Sequence, residues 1–329
     1  MRPSAFVTRS LPADVLQPLA ECARVEVWPD EEAAIPRGAL LEAAAGVDGL
    51  LVLLTDRVDA ELVARAPRLR AVSTMAVGFD NVDVAACTAR GIAVCNTPDV
   101  LTETTADLCW AILMACARRI PEAQRTIEAG RWRTWAPFFM AGQDVHGKTL
   151  GVVGMGRIGQ AVARRAQGFG MRLLYTSPTA KPAAERESGA RRVPLDELLT
   201  ASDFVVLLAP LTAATHHLIG RAELARMRPG AVLVNVGRGG LCDQEALVDA
   251  LRARQIWGAA LDVFAEEPLP ADHPLLSLPN VVAVPHIGSA SLETRRAMAR
   301  LAAENLAAVL RGERPRSCVN PQTLAGGAG

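Results

Sequence analysis

Several things are scarce in this sequence, and each scarcity excludes something. Net charge is missing: 35 basic residues balance 35 acidic ones, so nothing electrostatic favours a nucleic-acid partner. Long apolar runs are missing as well. The longest, such as Gly49 to Leu54 and Phe204 to Leu211, fall far short of the roughly 20 residues that cross a bilayer. Metal-type cysteine spacing is missing: Cys22, Cys87, Cys95, Cys109, Cys116, Cys242 and Cys318 contain no CxxC pair. An odd number of cysteines without such spacing points to reduced thiols, small buried residues and a cytoplasmic setting, with no metal site. The stretch around Pro3, Arg9 and Pro12 lacks a secretory pattern. Aromatic residues make up only 4 %, which makes Trp132-Arg133-Thr134-Trp135-Ala136-Pro137-Phe138-Phe139 conspicuous and suggests a subunit contact. What is plentiful is apolar residues, half of a 329-residue chain, enough for two cored domains.

The chain is organised around Thr149 to Thr176. An apolar run with Leu150, Val152 and Val153 leads into Gly154-Met155-Gly156-Arg157-Ile158-Gly159, then a helical segment, then a second apolar run from Met171 to Tyr175. This is strand, glycine turn, helix, strand. Gly154 permits a sharp turn, Gly156 has no side chain to keep a diphosphate from the backbone, and Gly159 lets the helix approach the sheet. Free N–H groups at the helix start face the anion. The flanking strand and helix make the glycine pattern a dinucleotide site rather than an ordinary turn.

Elsewhere short strands alternate with helices. Strands are predicted at Ser4–Thr8, Arg24–Val27, Gly49–Leu54, Leu69–Thr74 and Ile92–Cys95, with helices at Leu11–Cys22, Gly38–Ala45, Ala60–Ala66 and Val82–Arg90. Such repeats imply a doubly wound parallel sheet, so the fold class is α/β. A long helix over Glu103–Arg119 reads as a connector. The later half adds strands at Phe204–Leu208, Ala231–Asn235, Trp257–Val263 and Val281–Val284, and helices at Arg221–Met227 and Gln244–Arg254. The last helix, Leu292–Leu310, is expected to return to the first domain, and the tail Gly326 to Gly329 to be disordered.

An acidic residue about 20 positions after the glycine turn commonly binds the adenosine ribose. Here the position reads Tyr175-Thr176-Ser177-Pro178-Thr179-Ala180-Lys181, with no carboxylate. Hydroxyls and Lys181 stand where an acid would repel a 2′-phosphate, which favours NADP(H) and leaves NAD(H) open. No arginine in that loop offers a bidentate phosphate contact.

Three polar residues follow predicted strands of this half: Arg238 in Gly237-Arg238-Gly239, Glu267 before Pro268, and His286 in Pro285-His286-Ile287-Gly288-Ser289. All should reach the carboxyl edge of the sheet. Reducing a ketone needs a hydride on carbon and a proton on oxygen. A histidine with a carboxylate partner suits the second task, and an arginine fork holds a 2-oxo acid and polarises its carbonyl. His146 lies on the wrong edge; His216, His217 and His273 fall in less suitable loops. In the first half, Met75 to Asn81 follows a strand, and its amides could hold a small carboxylate.

GMGRIG, NVGRG, LDVFAEEP and PHIGSAS together make the chain resemble the D-isomer-specific 2-hydroxyacid dehydrogenases over nearly its whole length. Within them it is similar to glyoxylate/hydroxypyruvate reductases, through Thr97-Pro98-Asp99-Val100-Leu101-Thr102-Glu103-Thr104-Thr105-Ala106, the Trp132/Trp135 segment, Pro268-Leu269-Pro270 and His273-Pro274-Leu275-Leu276. The resemblance implies two discontinuous domains: 1–98 with 290–329 as a flavodoxin-like substrate-binding (catalytic) domain, and 99–289 as an NAD(P)-binding Rossmann domain. It implies that Arg238 binds and polarises substrate, that His286 donates the proton with help from Glu267, and that Val77 and Gly78 amides hold the substrate carboxylate with Ser289 nearby. Cofactor contacts are implied for Thr105, Gly154, Gly156, Arg157, Ile158, Gly159, Ser177, Thr179, Lys181, Pro210, Val236, Asp262, His286 and Gly288. The family is usually dimeric, and Trp135 is the candidate to close a neighbouring subunit's pocket. The expected activity is reduction of glyoxylate and hydroxypyruvate. Alternatives are a broader 2-ketoacid reductase, a phosphonate (phosphite) dehydrogenase, whose anion-holding lysine is replaced here by Val77, and a non-enzymatic NAD(P)-sensing, corepressor-like protein. Formate dehydrogenases lack the acid that Glu267 supplies.

Overall fold

A computed structural model describes residues 2–327. The chain divides into two compact units, Met1–Leu101 with Ser291–Gly329, and Thr102–Ala290.

The first unit is built on a five-stranded sheet of β1 (Ser4–Val7), β2 (Arg24–Val27), β3 (Gly49–Val52), β4 (Ala71–Thr74) and β5 (Ala93–Cys95), in the order β2-β1-β3-β4-β5. Every pairing is parallel. This is the flavodoxin-like order, whose reversal falls between β1 and β3. The strands are short, and β3, β4 and β5 are buried along their whole length, as expected where both faces are covered, while the edge strand β2 is partly exposed. Leu50, Leu51, Val52 and Val72 have no exposed surface, and each such side chain contributes about 1.5–3 kcal/mol on burial.

Several ends differ from the sequence reading for local reasons. The first helix runs only Ala13–Ala20, because Pro12 at its N-cap is extended with φ −56° and ψ 137°. The helix expected from Val82 starts at Val84: Asp83 caps it by accepting from the Ala86 amide at 2.8 Å, and Val82 bridges Val58 instead. β3 stops at Val52 because the Leu53 amide turns to the Asp56 carboxylate at 2.7 Å. Asp59 does cap the helix Ala60–Arg65.

The last helix, Leu292–Arg311, is capped by Ser291 and ended by Gly312 at φ +80°. It packs against the helix Ala13–Ala20 and against β3, β4 and β5. Ser73 Oγ donates to the Ala302 carbonyl at 2.8 Å and Asn305 Nδ2 to the Asn96 carbonyl at 3.1 Å. Of the tail expected to be disordered, Ala328 and Gly329 lie outside the described residues, while a 3-10 turn covers Pro321–Gly327.

The second unit is built on a seven-stranded sheet: β6 (Thr149–Val153), β7 (Arg172–Thr176), β8 (Arg191–Arg192), β9 (Phe204–Leu207), β10 (Val232–Asn235), β11 (Gly258–Leu261) and β12 (Val281–Ala283). Its order is β12-β11-β10-β9-β6-β7-β8, again all parallel. The Rossmann reversal lies between β6 and β9, next to the glycine turn. Register carries Val153, Leu207, Asn235, Leu261 and Ala283 across the sheet as successive neighbours. The segments that follow these residues therefore leave one common edge.

The helix expected to connect domains spans Thr102–Ala117 and is part of this unit's own core. It packs on β10, β11 and the helix Arg157–Gln167, burying Cys109, Ile112 and Leu113. The two-residue β8 and the helices Ile120–Glu128, Pro182–Ser188 and Leu195–Ala201 escaped the sequence reading. Charged residues dominate β8 and interrupt all three helices, each of which is no longer than nine residues.

Candidate active site

The glycine turn has the shape its spacing predicts. Gly154 adopts φ +103°, and a Cβ there would lie 2.6 Å from the Ala209 amide nitrogen and 2.7 Å from the Leu208 carbonyl carbon. Only glycine fits at this position. Gly159 lies against the Gly154 carbonyl, where a Cβ would sit 2.2 Å from the oxygen, so helix and strand meet backbone to backbone. Gly156 differs: a Cβ there would meet nothing within 4 Å. It caps the helix Arg157–Gln167 and leaves open space beside the first-turn N–H groups. A cradle that is crowded behind and open in front fits a dinucleotide diphosphate. Arg157 is exposed at the helix start, and Ile158 packs against the unit's core.

Beyond β7 the loop closes on itself. Ser177 Oγ donates to the Thr179 carbonyl at 2.6 Å, and the Lys181 amide donates to the Tyr175 hydroxyl at 2.8 Å. Tyr175 in turn donates to Glu185 at 2.6 Å. The loop itself carries no arginine, but Arg192 on β8 lies across it and donates to the Ser177 and Pro178 carbonyls. The signal was missed because Arg192 is 15 residues away from Ser177 along the chain. Pro210 follows β9, its carbonyl accepting from Thr215, and Val236 is buried just past β10.

The three reacting candidates share the edge beyond β10, β11 and β12. Arg238 is half-buried after β10; Nη1 donates to its neighbour's carbonyl, and its own carbonyl accepts from Asn235 Nδ2 at 2.9 Å. The turn that carries it presses on the next loop: a Cβ on Gly239 would lie 1.8 Å from the Phe264 carbonyl oxygen. That loop holds Glu267, whose Oε1 accepts from the Phe264 amide at 2.9 Å. Glu267 Oε2 meets His286 Nδ1 at 2.6 Å. The two side chains keep 35 % and 31 % of their surface exposed, so they are held yet reachable. Burial alone would raise the Glu267 carboxyl's pKa. The bond from His286, the Phe264 amide and the charges of His286 and Arg238 outweigh burial and hold it below its ordinary value.

Asp262 fixes the loop that carries the histidine. It is almost wholly buried and accepts from the Ile287 amide at 2.6 Å and the Gly288 amide at 2.8 Å. Its own carbonyl accepts from the His286 amide at 3.0 Å. These bonds hold His286 at φ +52°, in the left-handed region. Burial is the main reason the Asp262 carboxyl rises to about 6. Gly288 is packed tightly, since a Cβ there would fall 2.9 Å from Asp262 Oδ2 and 3.4 Å from Thr105 Cγ2. Thr105, from the helix Thr102–Ala117, thus joins the same edge.

A further support is assembled from residues remote in sequence. His273 Nε2 lies 2.9 Å from Gln244 Nε2, and Gln244 Oε1 accepts from the Ala265 amide at 3.0 Å. This chain buttresses the Glu267 loop from behind, but its members are far apart in sequence. His146 sits before β6, at the opposite edge, as expected. Ser289 is half-buried, three residues beyond His286. Val77 and Gly78 belong to the first unit, half-buried beyond β4, with the Val77 carbonyl held by Asn96 Nδ2 at 2.8 Å. Trp135 and Phe138 are 78 % and 88 % exposed, so the aromatic segment is not core. Among the described residues no His, Cys, Asp and Glu cluster could hold a metal ion.

A Rossmann sheet whose edge carries a diphosphate cradle and a paired imidazole belongs to a nicotinamide-dependent oxidoreductase. Comparison with known proteins narrows this class. Residues 110–288 match the model of the D-isomer specific 2-hydroxyacid dehydrogenase NAD binding domain. A glyoxylate reductase of Thermococcus gammatolerans is 52 % identical over 98 % of both chains. Among solved structures, a glyoxylate reductase from Paecilomyes thermophila superposes with a TM-score of 0.87 at 32 % identity, over 97 % of this chain and 99 % of that one. An NADPH-dependent glyoxylate/hydroxypyruvate reductase from Sinorhizobium meliloti, solved with NADP and malonate, gives 0.83 at 35 % identity over 97 % of each. The chain belongs to the D-isomer specific 2-hydroxyacid dehydrogenase family.

Proposed function

We propose that this protein reduces glyoxylate to glycolate and hydroxypyruvate to D-glycerate, with NADP(H) preferred and NAD(H) accepted. The observation that carries the reading is the 2.6 Å His286–Glu267 pair, on the edge shared with Arg238 and the glycine cradle. It is supported by the names of the relatives, which are glyoxylate reductases at about half identity. The dinucleotide, when bound, supplies the hydride that reaches the substrate's carbonyl carbon.

The protein's residues do the rest. Arg238 holds the 2-oxo acid through parallel N–H bonds and draws charge onto the carbonyl oxygen as it becomes an alkoxide. His286 delivers a proton to that oxygen from Nε2, which makes no bond among the described residues. Glu267 holds Nδ1, fixing the ring's orientation so that Nε2 faces the substrate oxygen. Asp262 holds the His286 loop and orients the nicotinamide end of the site. We assign carboxylate binding to the Val77 and Gly78 amides, and to the first unit the role of substrate-binding domain, with Ser289 near substrate. Thr105, Gly154, Gly156, Arg157, Ile158, Gly159, Ser177, Thr179, Lys181, Pro210, Val236 and Gly288 are assigned to the cofactor.

The exposed Trp132, Trp135, Phe138 and Phe139 support a homodimer in which Trp135 closes the neighbour's pocket. Among the described residues no helix is long and apolar enough to cross a membrane and the cysteines are free, which supports a cytoplasmic enzyme. The decisive experiment is a panel of glyoxylate, hydroxypyruvate, pyruvate, phenylpyruvate and phosphite with each nicotinamide, following the absorbance of the reduced ring. Highest kcat/KM with the first two supports the reading. Equal rates across the oxo acids would make it a broad 2-ketoacid reductase. Stabilisation by cofactor without turnover would make it a binding protein.

A further inference from the structure

We propose that Arg192 reads the 2′-phosphate of NADP(H), an inference that rests on the cofactor preference above. In this fold the adenosine ribose lies beyond the second strand of the nucleotide half. That strand is β7, and the loop from Ser177 to Lys181 offers no carboxylate and no arginine. β8 supplies the arginine from the side. It pairs with β7 so that Arg192 stands level with Tyr175. From there the guanidinium crosses the loop, with Nε and Nη2 at 3.1 and 2.9 Å from the Ser177 carbonyl and Nη2 at 2.8 Å from the Pro178 carbonyl.

These bonds orient the group without neutralising it. Its neighbour Arg191 is paired with Glu197 at 2.5 Å, whereas Arg192 has no carboxylate within ion-pair distance among the described residues. Its Nη1 makes no bond to the protein there. An anchored guanidinium with its charge intact and donors to spare, beside the Ser177 and Thr179 hydroxyls, matches a phosphate dianion. Lys181 on the far side of the same loop is also without a carboxylate partner, but its ammonium is unanchored, so it is the lesser contact.

The simpler role for Arg192 is a loop brace, and a neutral donor suffices for that. Arg192→Gln keeps an N–H for the carbonyls and removes the charge. Calorimetric titration of the full-length protein with NADP+, NAD+, 2′,5′-ADP and 5′-AMP separates the two roles without relying on turnover. We expect Arg192→Gln to weaken NADP+ and 2′,5′-ADP by about tenfold, the size of one charged hydrogen-bonded contact, and to leave NAD+ and 5′-AMP within about twofold. Arg192→Lys should recover part of the loss, and Lys181→Gln should cost less, about threefold.

Equal weakening of all four ligands by Arg192→Gln would make the residue a brace and overturn the proposal. Loss of NADP+ affinity in Lys181→Gln with none in Arg192→Gln would overturn it in favour of the lysine. A wild-type protein that binds NAD+ more tightly than NADP+ would remove the cofactor reading itself, and this inference with it. Wild-type preference for NADP+ that survives Arg192→Gln sinks only the arginine.

Discussion

At the carboxyl edge of the first sheet, Thr8 donates to Asp56 at 2.5 Å, Asp56 accepts again from the Leu53 amide, and Asn81 Nδ2 donates to the Leu53 and Asp56 carbonyls at 3.0 and 2.8 Å. At the corresponding edge of the second sheet, Glu267 binds His286 and the Phe264 amide, with Arg238 close enough to lower its pKa. Both are acids beside a parallel-sheet edge, and their circumstances are opposite. Asp56 keeps 2 % of its surface, and burial raises its carboxyl. Glu267 stays partly open and is held charged. The lesson is that position at a sheet edge offers a place for chemistry, while exposure and the nature of the partners, a histidine for Glu267 against a hydroxyl and a backbone amide for Asp56, decide whether the residue serves a ligand or the loop.

The sharpest way to break this comparison is His286→Ala. It should lower kcat by about 10²–10⁴-fold while cofactor affinity stays close to wild type. Equal turnover numbers would remove the ring from the mechanism. Next in size is Arg238→Lys, with an expected loss of about 10²-fold in kcat/KM, because an ammonium cannot reproduce the planar fork. Unchanged kcat/KM would reduce Arg238 to a surface charge.

Glu267→Gln should reduce kcat about tenfold and change the acid side of the stability profile. The Glu267 carboxyl is depressed in the folded protein, so its contribution is present above the ordinary unfolded value of about 4.3 and is lost as pH falls through the lower folded value. Denaturant titrations of wild type and mutant should differ most near neutrality and converge in acid; curves that stay parallel would contradict the pairing. The smallest effect on activity belongs to Asp56→Ala. It should cost about 1–3 kcal/mol of stability by stripping the Thr8 hydroxyl and the Leu53 amide of their acceptor, and leave kcat within about twofold. A large fall in kcat without loss of stability would place Asp56 in the chemistry and dissolve the contrast.

Much of this was legible in sequence because the signals are local. Gly154, Gly156 and Gly159 act within six residues, and Arg238 and His286 each stand just past an apolar run that reads as a strand. Arg192 was not legible. Its role depends on a two-residue strand with no apolar pattern and on loop carbonyls, at Ser177 and Pro178, that precede it by 15 and 14 residues. The His273–Gln244–Ala265 support was hidden for the same reason, since each of its links spans more than 20 residues. Helix starts at Ala13 and Val84 shifted because Pro12 and Asp83 set them, while the apolar residues alone pointed earlier.

The first unit takes its closing helix from beyond the second unit in chain order. Residues 291–327 supply the hydrogen bonds on Ser73 and Asn96, and Asn320 accepts from the Val94 amide of β5 and donates to the Ile92 carbonyl just before it. During translation the nascent amino-terminal hundred residues therefore emerge without their last layer. The Rossmann half, by contrast, draws all seven of its strands from one continuous stretch of chain. The layer that covers β3, β4 and β5 thus lies beyond that whole stretch in chain order, so a truncation at Ser291 would strip the first unit and leave every strand of the second in place.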